Sequence, residues 1–134
     1  MNIFNDRSIR LLEKAIDAGS LRQRVIADNI ANVNTPGFKK SSVAFESVLK
    51  KNLGTGRIPL NSSDSRHFGD ANSLDSINPS VVKENTTSMR ADGNNVDVEQ
   101  EMVRLAVNTV NYNADVQELN NRLNLLGFVV KGGN

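Results

Sequence analysis

The 134-residue chain has no cysteine, no tryptophan, one tyrosine, one histidine and three prolines. Without cysteine there is no disulfide framework, zinc knuckle or thiol nucleophile, and neither a reducing nor an oxidising compartment is excluded. Aromatic residues make up only 4%, which argues against a large compact core in a chain long enough for one domain. The single histidine, His67, has no H-x-x-x-H partner, and Ser62, Ser63 and Ser65 beside it sit in a segment rich in serine throughout. A structural or surface role is therefore favoured over catalysis. Neither sign of charge dominates. Sixteen Lys and Arg face fifteen Asp and Glu, a net charge of +1, so the basic excess of a nucleic-acid binder is missing. The pairs Lys39-Lys40 and Lys50-Lys51 read as solvated surface.

Long apolar runs are also missing. None approaches the length of a membrane span. Met1-Asn2-Ile3-Phe4-Asn5-Asp6-Arg7 leads into a charged helical pattern with no apolar stretch behind it, so no cleavable signal peptide is expected. Composition alone would place the chain in the cytoplasm. Gly54-Thr55-Gly56-Arg57 lacks the Gly-Lys-Ser/Thr of a phosphate loop. Ala91-Asp92-Gly93-Asn94-Asn95-Val96-Asp97 has its glycine and acids at the wrong spacing for a calcium loop and reads as a tight turn feeding a helix cap. Asn61-Ser62-Ser63 and Asn85-Thr86-Thr87 match a glycosylation pattern that recurs by chance in Ser/Thr-rich chains. No catalytic set, metal site or cofactor site emerges, and the chain does not read as an enzyme.

What is present is helical periodicity at both ends. Over residues 6–33, Ile9, Leu12, Ile16, Ile26, Ile30 and Val33 follow alternating steps of three and four, with Gly19 and Gln23 as weak positions. From Asp97 onward, Val98, Met102, Leu105, Tyr112, Val116, Leu119, Leu123 and Leu126 do the same, with Thr109 the polar exception. Such a stripe is a coiled-coil seam. Asp97 and Gln100 suggest a capping box, and Gly127 a place for the second helix to stop. The expected fold is mainly α: 1–34 and 97–134 pair as an antiparallel coiled coil, around an irregular middle, 35–96. Phe45, Val48 and Leu49 suggest a helical turn or two, and Ile58-Pro59-Leu60 and Val81-Val82 short extended pieces. Each helix also carries a second, weaker stripe: Leu11, Ala15, Ala18 and Val25, and Val103, Ala106, Val107, Val110 and Ala114. Two stripes per helix imply more than one packing neighbour.

The first helix is stopped by Asn29-Ile30-Ala31-Asn32-Val33-Asn34-Thr35-Pro36-Gly37-Phe38-Lys39. Asn29 and Asn32 lie one turn apart, with amides able to cap or bridge. Asn34 suits a left-handed helix end. Thr35 precedes proline and is biased out of the helix, Pro36-Gly37 fits a type II turn, and Phe38 offers an apolar anchor. This stretch closely resembles the N-terminal signature of the bacterial flagellar axial proteins of the rod and hook. Gly93-Asn94-Asn95-Val96-Asp97 followed by Glu101-Met102 resembles the second motif of the short proximal rod members, and Tyr112, Leu119, Leu123 and Leu126 with the Gly132-Gly133-Asn134 tail are similar to the same group.

The resemblance implies a structural subunit of the proximal rod of the flagellar basal body. Its terminal helices would pair and pack into a tube, the drive shaft that carries motor torque. It would be exported unfolded by the flagellar type III apparatus, without a cleaved signal, and would lie in the periplasmic rod. Its partners would be copies of itself, other rod proteins, the ring-junction protein and the inner-membrane ring. The seam would hold the helix pair, while Asn29, Asn32, Asn34, Thr35, Pro36, Gly37, Phe38, Val103, Val107 and Val110 would contact neighbouring subunits. A sibling rod subunit, or a soluble helical secretion chaperone or adaptor, remains as the alternative reading.

Overall fold

The computed structural model describes residues 7–54, 77–85 and 90–132. In chain order the elements are helix α1 (Arg7–Ala31), strand β1 (Ser41–Ala44), helix α2 (Glu46–Gly54), strand β2 (Ser80–Lys83) and helix α3 (Val98–Val130). The fold is mainly helical, with the two long terminal helices packed together and a small two-stranded sheet between them in sequence, in line with the expected fold class. His67 and Ile58-Pro59-Leu60 lie outside the described residues.

The helices are antiparallel. Asn29, near the end of α1, meets Glu101 at the start of α3, whereas Gly19 lies opposite Asn108 and Tyr112 further along it. Asp97 caps α3 as its sequence suggests, its carboxylate accepting the Gln100 N–H at 3.2 Å from an extended backbone. The Gln100 side chain does not complete the box toward Asp97; its Oε1 accepts from Lys40 Nζ at 3.3 Å. Gly127 does not end the helix. α3 runs on to Val130, and Gly132, at φ +81°, takes the left-handed position just beyond it. A helical φ is open to glycine as well, so a glycine stops a helix only where the chain turns away.

β1 and β2 pair antiparallel in the register Ser41 with Lys83 through Ala44 with Ser80. The Glu84 N–H donates to Lys40 C=O at 2.9 Å and extends the ladder by one bond. The core lies beside this two-stranded sheet. Ala18, Phe45 and Ile77 are buried together, flanked by Leu11, Ala15, Val48 and Leu49. Three of the four residues of the weaker α1 stripe therefore serve the chain's own middle segment. Two stripes do mean two neighbours for α1, but both belong to the same chain: α3 on one side, the middle segment on the other.

The small residue Gly19 sets how closely the helices approach. A Cβ placed there would lie 3.1 Å from Tyr112 Cδ2, tighter than ordinary contact. Tyr112 thus packs its ring against bare backbone. The Gly19→Leu variant should destabilise the fold by about 1–3 kcal/mol through overpacking. Adding Tyr112→Ala should recover most of that loss, and urea unfolding of the single and double variants measures the coupling.

Candidate functional site: the junction and the helix seam

The end of α1 is built from backbone groups that run out of helical partners. Asn32 N–H still reaches Asp28 C=O at 3.1 Å, but Val33 and Thr35 bond only three residues back, to Ile30 and Asn32. The Thr35-Pro36-Gly37-Phe38 turn follows, closed by Phe38 N–H on Thr35 C=O at 3.2 Å, with Gly37 at φ +71° as the third position of a type II turn requires. Asn34 is not left-handed, for among the described residues only glycines have positive φ. The reason lies sixty residues away. Asn94, fully buried, directs its Nδ2 at the carbonyls of Asn32, Val33 and Thr35, at 3.1, 3.0 and 2.9 Å. The Arg90 guanidinium adds a bond to Val33 C=O at 3.1 Å. Carbonyls satisfied by a distant side chain leave no need for a left-handed cap.

Asn94 is itself held rigidly. Its Oδ1 accepts the Val96 N–H at 2.8 Å, and its own N–H donates to Asp92 Oδ1 at 3.1 Å. Gly93, at φ +82°, packs close to the other turn glycine, with an added Cβ falling 3.6 Å from Gly37 Cα. Gly37 N–H donates to Asp92 C=O at 2.8 Å, joining the two turns directly. Asn95, also fully buried, accepts from Lys40 N–H at 2.7 Å and donates to Glu84 C=O at 3.0 Å, pinning the sheet to the start of α3. Lys40 is buried, not solvated; its Nζ lies 3.4 Å from Glu84 Oε2 and 3.3 Å from Gln100 Oε1.

Asn29, expected at a contact between subunits, lies inside the chain's own fold. It is fully buried. Its Nδ2 donates to Ser41 C=O at 2.8 Å and to Glu101 Oε2 at 3.0 Å, and its Oδ1 accepts Ser41 N–H at 2.9 Å. The amide meets Ser41 as a neighbouring strand would, one bond donated and one accepted, and its second donated bond goes to Glu101. Asn32 is half-buried, bonded to Asp28 and Thr35. Asn34, Thr35, Pro36 and Gly37 are exposed and Phe38 half-buried, so the turn itself faces outward.

The seam of α3 is displaced from the apolar pattern at every second position. The covered face is Val98, Glu101, Leu105, Asn108, Tyr112, Asp115, Leu119, Arg122 and Leu126. Met102, expected in the seam, is 59% exposed, and Leu123 is 47% exposed. Val116 is half-buried beside Asp115. Polar residues thus recur every seventh position where an apolar reading would place Met102, Thr109, Val116 and Leu123. Glu101 and Asn108 can be buried because they are bonded. Glu101 accepts from Asn29 and from Arg104 Nη1 at 3.0 Å. Asn108 donates to Gly19 C=O at 3.0 Å, and its Oδ1 receives Arg22 Nη1 at 3.4 Å. Arg22 continues to Glu46 Oε1 at 2.6 Å, tying both helices to α2. Among the described residues no buried side-chain polar atom lacks a partner. The spacing of 101, 108, 115 and 122 is the sequence signal that an apolar count passes over. On α1, Ile26 is buried, while Ile9, Leu12, Ile16 and Ile30 are half-buried, as is Val33 just beyond its end.

The second α3 stripe lies in the open, with Val103, Val107 and Val110 at 64%, 55% and 68% exposure. The described residues hold no group of three or more His, Cys, Asp or Glu able to bind a metal. No described helix is long and apolar enough to cross a membrane. What the arrangement offers is a braced corner and an apolar helix face.

Comparison with known proteins agrees with that character. Residues 9–39 match the family profile described as flagella basal body rod protein. The chain is 39% identical over 135 residues to the flagellar basal body rod protein FlgB of Bacillus subtilis, covering 99% of each chain. It is 41% identical over 118 residues to FlgB of Borrelia hermsii, covering 84% of this chain and 86% of that one. To FlgB of Salmonella typhimurium it is 30% identical, covering 96% of both.

Two measurements test this geometry. The Asn94→Ala variant removes three bonds to the end of α1 and should cost about 2–4 kcal/mol in denaturant unfolding. Asn94→Asp, nearly the same shape, should cost at least as much, because a carboxylate cannot donate to the three carbonyls. Burial raises the Asp115 carboxyl above its ordinary 3.8. Ionisation is therefore disfavoured in the folded chain, and the folded state binds more protons than the unfolded one as pH rises through this range. Stability associated with Asp115 is full below 3.8 and falls as pH rises to its folded value. Asp115→Asn should accordingly stabilise the protein at neutral pH and give no gain below 3.8, read from melting temperatures across pH.

Proposed function

Because this chain belongs to the family of flagellar basal body rod proteins, we propose that it polymerises through its terminal helices into the proximal rod and transmits torque along it. The observation that carries the reading is the row Val103, Val107 and Val110, apolar and more than half exposed on a helix whose other face already holds α1. A contiguous apolar stripe on a long helix is costly in water and is expected to be covered by another chain. The outward turn of Asn34, Thr35, Pro36 and Gly37, with Phe38 beside it, would add a second contact at the corner. Residues 1–34 and 97–134 would act as one helical unit, with 35–96 as its buttress.

Torque transmission requires a subunit that does not shear. The bonds from Asn94, Asn29 and Asn108 lock the two helices in register, and directional hydrogen bonds resist sliding better than apolar contacts do. In this reading the chain is a structural element, not an enzyme. Export by the flagellar type III apparatus, a place in the periplasmic rod, and contacts with other rod proteins, the ring-junction protein and the inner-membrane ring belong to the same proposal. The double variant Val107→Asp, Val110→Asp should leave secretion largely intact and abolish motility in a complementation assay. Normal swimming would sink the proposal.

A further inference from the structure

Of the polar residues in the α3 seam, Glu101 and Asn108 are bonded to α1, and Arg122 pairs with Glu118 on its own helix. Asp115 is half-buried and has no hydrogen-bond or ion-pair partner among the described residues. No buried side-chain polar atom there lacks a partner, so the Asp115 oxygens must be open to solvent. They line a cavity of about 280 Å³ between α1, the start of α2 and α3. Ala15, Ala18 and Gly19 make its narrow α1 side, and the Phe45 and Tyr112 rings add apolar wall. Arg22 and Glu46 also line it, but they neutralise each other at 2.6 Å. Asp115 is left as the uncompensated charge. Burial without a partner disfavours its ionised form and so weakens the fold at neutral pH. A residue that breaks a local rule in this way, and faces a cavity, is expected to have a use outside its own fold.

A complementary cation lies on the opposite side of the same helix. Arg7 and Arg24 are the exposed arginines that have no partner among the described residues. At about 100° per residue, the cavity residues Ala15, Ala18, Gly19 and Arg22 share one face of α1. Arg7 falls within a quarter turn of that face, whereas Arg24 falls almost diametrically opposite it. The cavity is smaller than the roughly 300–1,000 Å³ of a small-molecule site and has room for one long side chain.

We propose that this cavity receives the Arg24 side chain of a second copy of this chain, with its guanidinium on the Asp115 carboxylate and its stem along Ala15 and Ala18. A guanidinium suits the place. Its planar fork meets a carboxylate in two parallel bonds, keeps an N–H for the Asn111 carboxamide on the same lining, and sits well beside aromatic rings. A lysine ammonium lacks that fork. Cavity and arginine lie on opposite faces of one helix, so the contact is heterologous and each copy offers one of each. Such a contact passes from copy to copy and builds a ring or a helical array. The proposal rests on the reading of the chain as a polymerising rod subunit and names one charged pair that would join neighbouring copies.

The pair predicts opposite effects of one substitution on the single chain and on the polymer. Asp115→Asn stabilises the isolated chain at neutral pH, yet it should raise the concentration at which the full-length protein sediments as a polymer by about tenfold. Arg24→Ala, at an exposed site, should leave the melting temperature of the isolated chain unchanged and raise that concentration by a similar factor. The double variant should do no worse than either single one, because both remove the same contact. Polymer formation by Arg24→Ala at the unmodified chain's concentration overturns the contact and leaves the rod-subunit reading standing, and so do losses that add in the double variant. A loss with Asp115→Asn alone gives the cavity to another cation and overturns Arg24 as its occupant. An unmodified chain that stays monomeric at every concentration overturns both the contact and the rod-subunit reading.

Discussion

The carboxamide of Asn94 is the point on which the fold turns. It approaches three carbonyls at the end of α1 while its own position is set by Asp92 and Val96 at the start of α3. A helix end exposes four carbonyls, and burying them without donors costs more than most single contacts return. One side chain meets that need and, in doing so, fixes where the second helix begins relative to where the first one stops. The neighbouring Asn95 does the same for the sheet through Lys40 and Glu84. Two adjacent residues therefore join α1, the two-stranded sheet and α3 at a single corner.

Asparagine suits this task better than a charged or apolar residue. Its amide carries donors and an acceptor without a charge to desolvate, so it can be buried against backbone at small cost. Asn29 and Asn108 repeat the device down the helix pair, one against Ser41 and Glu101, the other against Gly19 and Arg22. In an apolar seam a shift by one heptad costs little. In this seam it would leave Glu101 and Asn108 without partners. The few apolar residues in the core around Ala18, Phe45 and Ile77 are then enough, because directional bonds specify what a larger core would otherwise have to specify.

The same arrangement leaves surface to spare. α1 is enclosed on two sides, by α3 and by the middle segment, whereas α3 touches α1 with one face and presents Val103, Val107 and Val110 on another. A rigid pair with one helix half covered is suited to side-by-side packing, which is the use proposed for it.

Local pattern was enough to determine the two long helices, the Asp97 cap, the Pro36-Gly37 turn and the likeness to rod proteins, because each depends on spacing within a few residues. The seam was only half legible. Val98, Leu105, Tyr112, Leu119 and Leu126 follow from hydrophobicity, but Glu101 and Asn108 lie in it for reasons that belong to α1, where Asn29, Arg22 and the Gly19 carbonyl meet them. Asn29 likewise reads in sequence as free to meet another chain, and only the fold brings Ser41 and Glu101 to it. Whether a polar side chain faces water, a neighbour or the interior depends on partners far away in sequence. Periodicity carries no information about them, and tertiary structure alone decided their pairing.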